Sequence, residues 1–190
     1  MLQLPAYKQN MVKGTGGFLN PEKVLEEFEI KEGMKIADFG CGAGYFAILT
    51  AKAVGETGRI YALDVLKTAL ESVRSTAKAE GLLNIKTIWA NLEIKGGSSL
   101  EDESIDMVLL ANILFQSSKK AAIIKEAKRV VKKGGKMIVI DWKKDQPMGP
   151  PQDLIVSEDL LKDLAEKEGF KLERKFSAGD NHWGMIFVKT

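Results

Sequence analysis

The 190-residue sequence contains one cysteine, Cys41, and one histidine, His182. A lone thiol forms no disulfide within the chain, and this composition cannot assemble a Cys-rich metal site. No bound metal is therefore expected. The net charge is only +2, from 28 Lys and Arg against 26 Asp and Glu, which by itself leaves no electrostatic footprint for nucleic acid. No apolar run approaches the roughly 20 residues needed to span a bilayer, so no membrane partner is expected. The opening "MLQLPAYKQNMVKG" is too polar and too interrupted for a secretory signal. Internal repeats and low-complexity tracts are lacking. These absences leave a cytoplasmic enzyme or binding protein built as a single domain over residues 1–190.

What is present is an ordinary globular composition, 45% hydrophobic and 28% charged, with a strongly alternating pattern of elements. "NPEKVLEEFEI" reads as a helix, with Asn20 as N-cap and Pro21 at the first helical position. "MKIADFG", "GRIYALDV", "NIKTIWANL", the start of "IDMVLLANILF" and "KMIVIDW" read as strands. Between them, "YFAILTAKAV" and the amphipathic "KTALESVRSTAKAEG", closed by Gly81, read as helices. "SSKKAAIIKEAKRVVKKGG" reads as a further helix, with Ser117 or Ser118 as cap and Gly134-Gly135 as stop, and Ser157 caps "SEDLLKDLAEKEGF". The final "KLERKFSAGDNHWGMIFVKT" reads as two strands joined at "AGDN". Alternating strands and helices imply an α/β doubly wound sheet covered on both faces. The closing β-hairpin makes the last of seven strands antiparallel.

The stretch "DFGCGAGYF", Asp38 to Phe46, joins the first of these strands to its helix through Gly40, Gly42 and Gly44. In a doubly wound sheet, ligands bind beyond the carboxyl ends of the strands. Glycines there let backbone approach a ligand closely, and the unpaired N–H groups opening the next helix face the same crevice. Asp64, at the end of "IYALDV", lies about 20 residues beyond Gly44, the placement of an acid that accepts hydrogen bonds from ribose hydroxyls. Asp38 stands two residues before the first glycine. An acid there would repel a pyrophosphate and attract an ammonium group. That charge logic selects a nucleoside carrying an amino acid, S-adenosylmethionine, over a dinucleotide. The spacing agrees, because the sixth position of a G-x-G-x-x-G fingerprint counted from Gly40 is Tyr45.

On these residues the sequence resembles the class I S-adenosylmethionine-dependent methyltransferases, in the group related to ubiquinone and menaquinone biosynthesis enzymes. "DFGCGAG" is similar to their first motif, Asp64 matches the acid of their second, and the likeness covers about residues 30–190, terminal hairpin included. The resemblance implies that Gly40, Gly42 and Gly44 contact the methionine part of S-adenosylmethionine. Asp38 would act near its amino group, directly or through water. Asp64 would hold the ribose, and Val65 would pack on the adenine. At "WANLE", Asn91 stands where the family often has an acid for the adenine amino group, with Glu93 as the rival, and Leu92 would offer its backbone N–H. Ala111 and Asn112 would lie beside the transferable methyl, with Phe115 close by.

The acceptor is narrowed by exclusion. The Asn/Asp-Pro-Pro-aromatic run of enzymes that methylate exocyclic amines is replaced by "ANILF". Pyrimidine C5 methylation needs a thiol nucleophile, and Cys41 sits inside the cofactor loop. Arsenite methylation needs several cysteines. The lysine pairs at 119–120, 132–133 and 143–144 are scattered, as on a solvated face, and no strongly basic surface stands out. A small-molecule acceptor is expected, with protein and nucleic acid left open. Asp141 and Trp142, after the fifth strand, join Asn112 and Phe115 as acceptor-side candidates, whereas His182 is assigned to the surface or to packing. Two irregular stretches are expected to cover the pocket. One is residues 1–19, with Tyr7, Phe18 and glycine hinges at 14, 16 and 17, and the other is 143–152, with Met148 and Pro150-Pro151. Two other readings remain. A nicotinamide-dependent oxidoreductase would bind NAD, and a non-catalytic S-adenosylmethionine-binding protein would bind without turnover.

Overall fold

The computed structural model describes residues 19–190. The cover expected over residues 1–19 lies outside them except for Leu19. Helix α1 spans Pro21–Leu25 and is capped by Asn20, whose Oδ1 accepts from the N–H groups of Glu22 (3.1 Å) and Lys23 (3.3 Å). The apolar pattern predicts one longer helix here, but the chain tightens into a 3₁₀ turn at Glu26–Phe28 and leaves through Glu29 at φ 52°. Arg174 explains the break, since its guanidinium donates to both the carboxylate and the carbonyl of Glu27 (2.5 Å each) and draws this turn onto a distant strand.

The remaining elements run β1 (Lys35–Phe39), α2 (Tyr45–Ala53), β2 (Arg59–Asp64), α3 (Lys67–Ala79), β3 (Ile85–Trp89), β4 (Ile105–Ala111), a 3₁₀ turn (Leu114–Gln116), α4 (Lys120–Val130), β5 (Val131–Trp142), α5 (Glu158–Lys167), β6 (Phe170–Ser177) and β7 (His182–Lys189). They form one seven-stranded sheet in the order β3-β2-β1-β4-β5-β7-β6. Every pairing from β3 across to β5 is parallel, and β7 is antiparallel to both neighbours, as the terminal hairpin predicts. Helices α1, α2 and α3 bury Val24, Phe46, Ala47, Leu70 and Val73 on one face of the sheet. Helices α4 and α5 bury Ile123, Ala127, Leu161 and Ala165 on the other.

The helix predicted to continue to Gly134-Gly135 instead ends at Val130, and β5 begins at Val131. Val131 pairs with Ile105 across a bulge, which draws the chain into the sheet early. The Lys189 ammonium, on the last strand, donates to the carbonyls of Lys128 (2.9 Å) and Val131 (2.7 Å) and so satisfies backbone at the end of α4. Neither Ser117 nor Ser118 is the N-cap residue, which is Lys119. The Ser117 hydroxyl accepts from Lys119 N–H (2.9 Å) and donates to Glu93 (2.7 Å).

The connection between β3 and β4 contains no helix, and Glu126 of α4 secures it. Its buried carboxylate accepts from Gly96 N–H (2.8 Å), Ser98 N–H (3.1 Å), the Ser98 hydroxyl (2.5 Å) and the Arg129 guanidinium (2.6 Å). Burial pushes the carboxyl up, but these donors outweigh it and hold it down at about 2. This stabilisation is complete above the ordinary value of 4.5 and is lost as pH falls toward 2. Glu126→Gln keeps the shape but breaks a buried charge pair. We expect a loss of about 2 kcal/mol at pH 7, or roughly 4 to 8 °C in Tm, shrinking toward pH 3. A thermal melt series against pH measures this, and equal melting of variant and parent at pH 7 would mean that the network carries no net stability.

Candidate active site

The strand order reverses between β1 and β4. The chain leaves β1 toward α2 on one face and β4 toward α4 on the other, which opens a crevice at their carboxyl ends. Backbone closes its floor. Gly40 and Cys41 donate their N–H groups to Leu63 O (2.8 and 2.9 Å), and Gly42 donates to Asp64 Oδ2 (2.9 Å). Asp64 Oδ1 accepts from Leu66 N–H (2.9 Å). The second-motif acid therefore holds the glycine loop as well as facing the crevice. The three glycines have different local reasons. A Cβ on Gly40 would lie 2.6 Å from Ile113 Cδ1, and one on Gly44, at φ 89°, would lie 2.7 Å from Val73 Cγ2. Gly42, at φ 50°, would direct a Cβ into open space with nothing within 4 Å. Cys41 is buried, and burial with the Asp38 and Asp64 charges pushes its thiol far above the range of a reactive thiolate.

The buried polar atoms that lack a partner mark the same edge. Among the described residues, Asp38 Oδ2, Asn112 Oδ1, Asp141 Oδ2 and both ring nitrogens of His182 have none. All four residues stand at that end of the sheet, on β1, just past β4, on β5 and at the start of antiparallel β7. Asn84 Oδ1 is also unpartnered but lies at the opposite end, before β3, where its amide nitrogen donates to Ala51 O and Gly55 O (2.8 Å each). Native interiors leave few such groups, so a cluster calls for a ligand or water.

Each of the four has its own surroundings. Asp38 is 3% exposed, and burial, then the Asp64 charge, pushes its carboxyl up to about 7. Asp141 is fully buried and is pushed up to about 6 by burial, opposed by the N–H groups of Trp142 and Phe115 and by the Lys120 charge. Asn112 takes the left-handed φ of 56°, with its N–H on Ile140 O (2.9 Å) and its carbonyl accepting from Gln116 Nε2 (2.7 Å). His182 is 1% exposed, not a surface residue, and burial, then the Lys143 charge, pushes it down to about 4. Its ring lies 4.1 Å from that of Trp142, and the backbone of Gly149 lies against the Trp142 indole, 2.9 Å from the Cβ position to Cε3.

The other sequence candidates fall at the same edge. Val65 follows β2 and is 53% exposed. Asn91 Oδ1 accepts from Glu93 N–H (3.0 Å), Leu92 is buried, and Glu93 pairs with the Ser117 hydroxyl and with Lys119 (3.6 Å). Ala111 closes β4, opposite Ile140 of β5, and Phe115 lies in the following 3₁₀ turn, partly buried against the core. Sequence reading missed Trp89, whose indole N–H donates to Val65 O (2.9 Å) and which is mostly exposed. Its signal was a large aromatic ending the third strand. Residues 143–157 form turns and bends without helix or strand, with Gly149 against Trp142.

A methyltransferase domain family matches residues 30–183. A demethylmenaquinone methyltransferase of Geobacillus sp. (strain WCH70) is 30% identical over 120 residues, 63% of this chain and 50% of the relative. A ubiquinone/menaquinone biosynthesis C-methyltransferase of Shewanella pealeana is 29% identical over 64% of this chain and 48% of its own length. The chain thus spans about half the length of these curated relatives. A solved SAM-dependent methyltransferase from Aquifex aeolicus superposes with a TM-score of 0.84 at 28% identity, covering 99% of this chain and 100% of that one. Among the described residues no helix is long and apolar enough to cross a membrane. The glycine loop with its two acids, the reversed last strand and the match over residues 30–183 agree, and the chain belongs to the methyltransferase domain family, within the class I S-adenosylmethionine-dependent methyltransferases.

Proposed function

We propose that this chain moves the methyl group of S-adenosylmethionine to a small, planar, hydroxylated acceptor of quinol type. The observation that carries the reading is the row of unpartnered buried groups at the carboxyl ends of β1, β4 and β5 and at the adjoining end of β7. The residues fit the cofactor. Asp38 offers a desolvated carboxylate oxygen to an ammonium, and Gly42 leaves room for the methionine chain. Asp64 would hold the ribose, Val65 would lie on the adenine, and Asn91 with Leu92 would meet its edge. The bound cofactor supplies an electrophilic methyl on a sulfonium. The protein then has to align the acceptor in line and exclude water, with no nucleophile of its own. Asn112 and Trp142 would align the acceptor on the α1–α3 face, where the Trp142 indole suits a flat apolar ring, with Asp141 and Phe115 behind them on the other face of the sheet. The names of the curated relatives support a quinol-like acceptor.

S-adenosylhomocysteine at about a hundred times its Kd should stabilise the protein by roughly 2.7 kcal/mol, on the order of 5 to 10 °C in Tm, and NAD should not. Labelled S-adenosylmethionine offered with hydroxylated aromatic and quinol acceptors should then label one of them. A Tm shift with NAD alone sinks the cofactor assignment. Label found only in protein or nucleic acid sinks the acceptor class.

A further inference from the structure

The reading that assigns His182 to packing leaves both of its nitrogens unexplained. A core histidine normally satisfies at least one of them, because each buried polar atom left alone weakens the fold. Here both are buried without a partner in the same residue. His182 pairs directly with Trp142 across β5 and β7, so the two rings share one sheet face. By strand alternation that is the face of Ile36, Ile138, Ile140 and Ile186, and of Asp38, which is covered by α1 to α3. Asp38 and His182 are separated only by β4 and β5. Asp38 is level with Ile186 through Leu109 and Ile138, and His182 lies four residues away from Ile186 along β7, so three strand spacings and that rise put their backbones roughly 20 Å apart, room for an amino acid chain, its methyl and one flat ring.

We infer that His182 is the catalytic group that receives the hydroxyl proton of the acceptor, beneath Trp142. This rests on the proposed quinol-type acceptor. An imidazole that is neutral at pH 7 presents one nitrogen as acceptor, which is the form such a step needs. The charged and titratable groups near it are Lys143, whose ammonium is engaged with Gly179 O (2.9 Å) and Asp180 O (3.1 Å), and Asp141 on the opposite face of the adjoining strand. The Trp142 indole lies against the His182 ring, and the Gly149 backbone packs on that indole. In the step, the O–H bond of the acceptor breaks and its proton passes to the His182 ring. The electron pair released into the acceptor forms the new bond to the methyl carbon. The pair of the carbon–sulfur bond leaves with S-adenosylhomocysteine. For a ring carbon, the displaced ring proton then goes to water as aromaticity returns.

Because His182 is the only histidine, one labelled imidazole reports the site without ambiguity. The full chain carrying ¹⁵N-labelled histidine is saturated with S-adenosylhomocysteine at pH 6 and titrated with 4-nitrocatechol. We expect the imidazole signals to move from neutral to protonated, and the absorbance of the catechol anion to rise about threefold over free probe at the same pH. His182→Gln should lose that anion band while its S-adenosylhomocysteine affinity stays within twofold of the parent. Bound probe with an unmoved neutral imidazole overturns the inference. So does loss of the band in Asp141→Asn with its retention in His182→Gln. A cofactor complex that does not bind the probe at all overturns the acceptor class on which the inference rests.

Discussion

Asp38→Asn is expected to raise the Tm of the ligand-free protein at pH 8 by roughly 8 to 16 °C and to weaken S-adenosylhomocysteine binding by two orders of magnitude or more. The two effects have one cause. Burial and the Asp64 charge push the Asp38 carboxyl up to about 7 from an ordinary 3.8. Between those values the folded chain holds a proton that the unfolded chain releases. The group therefore costs nothing below pH 4, its cost grows as pH rises from there to about 7, and it is complete above that. At pH 8 the full penalty is on the order of 4 kcal/mol. An amide of the same shape carries no charge and escapes it. The gain should fade as the melts are repeated toward pH 4, and a gain independent of pH would mean that the carboxylate is not desolvated.

The same carboxylate makes cofactor binding depend on pH. An ammonium beside it favours the ionised form, so binding below pH 7 must expel the proton that Asp38 holds. Affinity should fall by up to tenfold per unit as pH drops below 7, and titration heats at pH 6.5 should vary with the ionisation heat of the buffer. Asp38→Asn should abolish both dependences. A parent affinity that is flat from pH 6 to 8 would place the ammonium elsewhere. On this account the ligand-free fold is weakened at the point where the ligand binds, the usual relation between stability and a binding site.

The sequence makes legible what lies close along the chain. Asp38, the glycines and Asp64 fall within one strand-turn-helix-strand unit, so spacing alone brings them together. The alternation of strands and helices, the Asn20 and Ser157 caps and the "AGDN" turn are local in the same way, and each stands where its pattern predicts. What the sequence hides is set by distant partners. Arg174 breaks the helix after Leu25, and Lys189 satisfies backbone at the end of α4, from 147 and 61 residues away. Glu126 carries no signal along the chain, yet it is buried at the centre of a loop anchor. The burial of His182 against Trp142 follows from the β5–β7 register, which no local pattern specifies. The strand-turn-helix-strand unit that carries Asp38, the glycines and Asp64 was therefore readable, and the burial of His182 was not.

Asp64→Ala should weaken S-adenosylhomocysteine binding by at least a hundredfold. On the proposed placement, two carboxylate hydrogen bonds to the ribose are at stake, each worth roughly 1.5 to 3 kcal/mol. The structure adds a second contribution, because the same carboxylate accepts from Gly42 and Leu66 N–H (2.9 Å each), so its removal also frees the loop. Asp64→Glu retains the charge and should be milder. The glycines separate the two contributions. Gly42→Val places its side chain in open space, so the fold should lose only about 1 to 2 kcal/mol of backbone strain while the ligand is shut out. Gly44→Ala drives its Cβ against the buried Val73 of α3, so it should cost the fold more, about 2 to 4 kcal/mol. Calorimetric titration and thermal melts of the four variants read both quantities. If Asp64→Ala binds like the parent, the ribose lies elsewhere. If Gly42→Val binds normally, the methionine chain does not cross the loop at the one glycine that leaves it room.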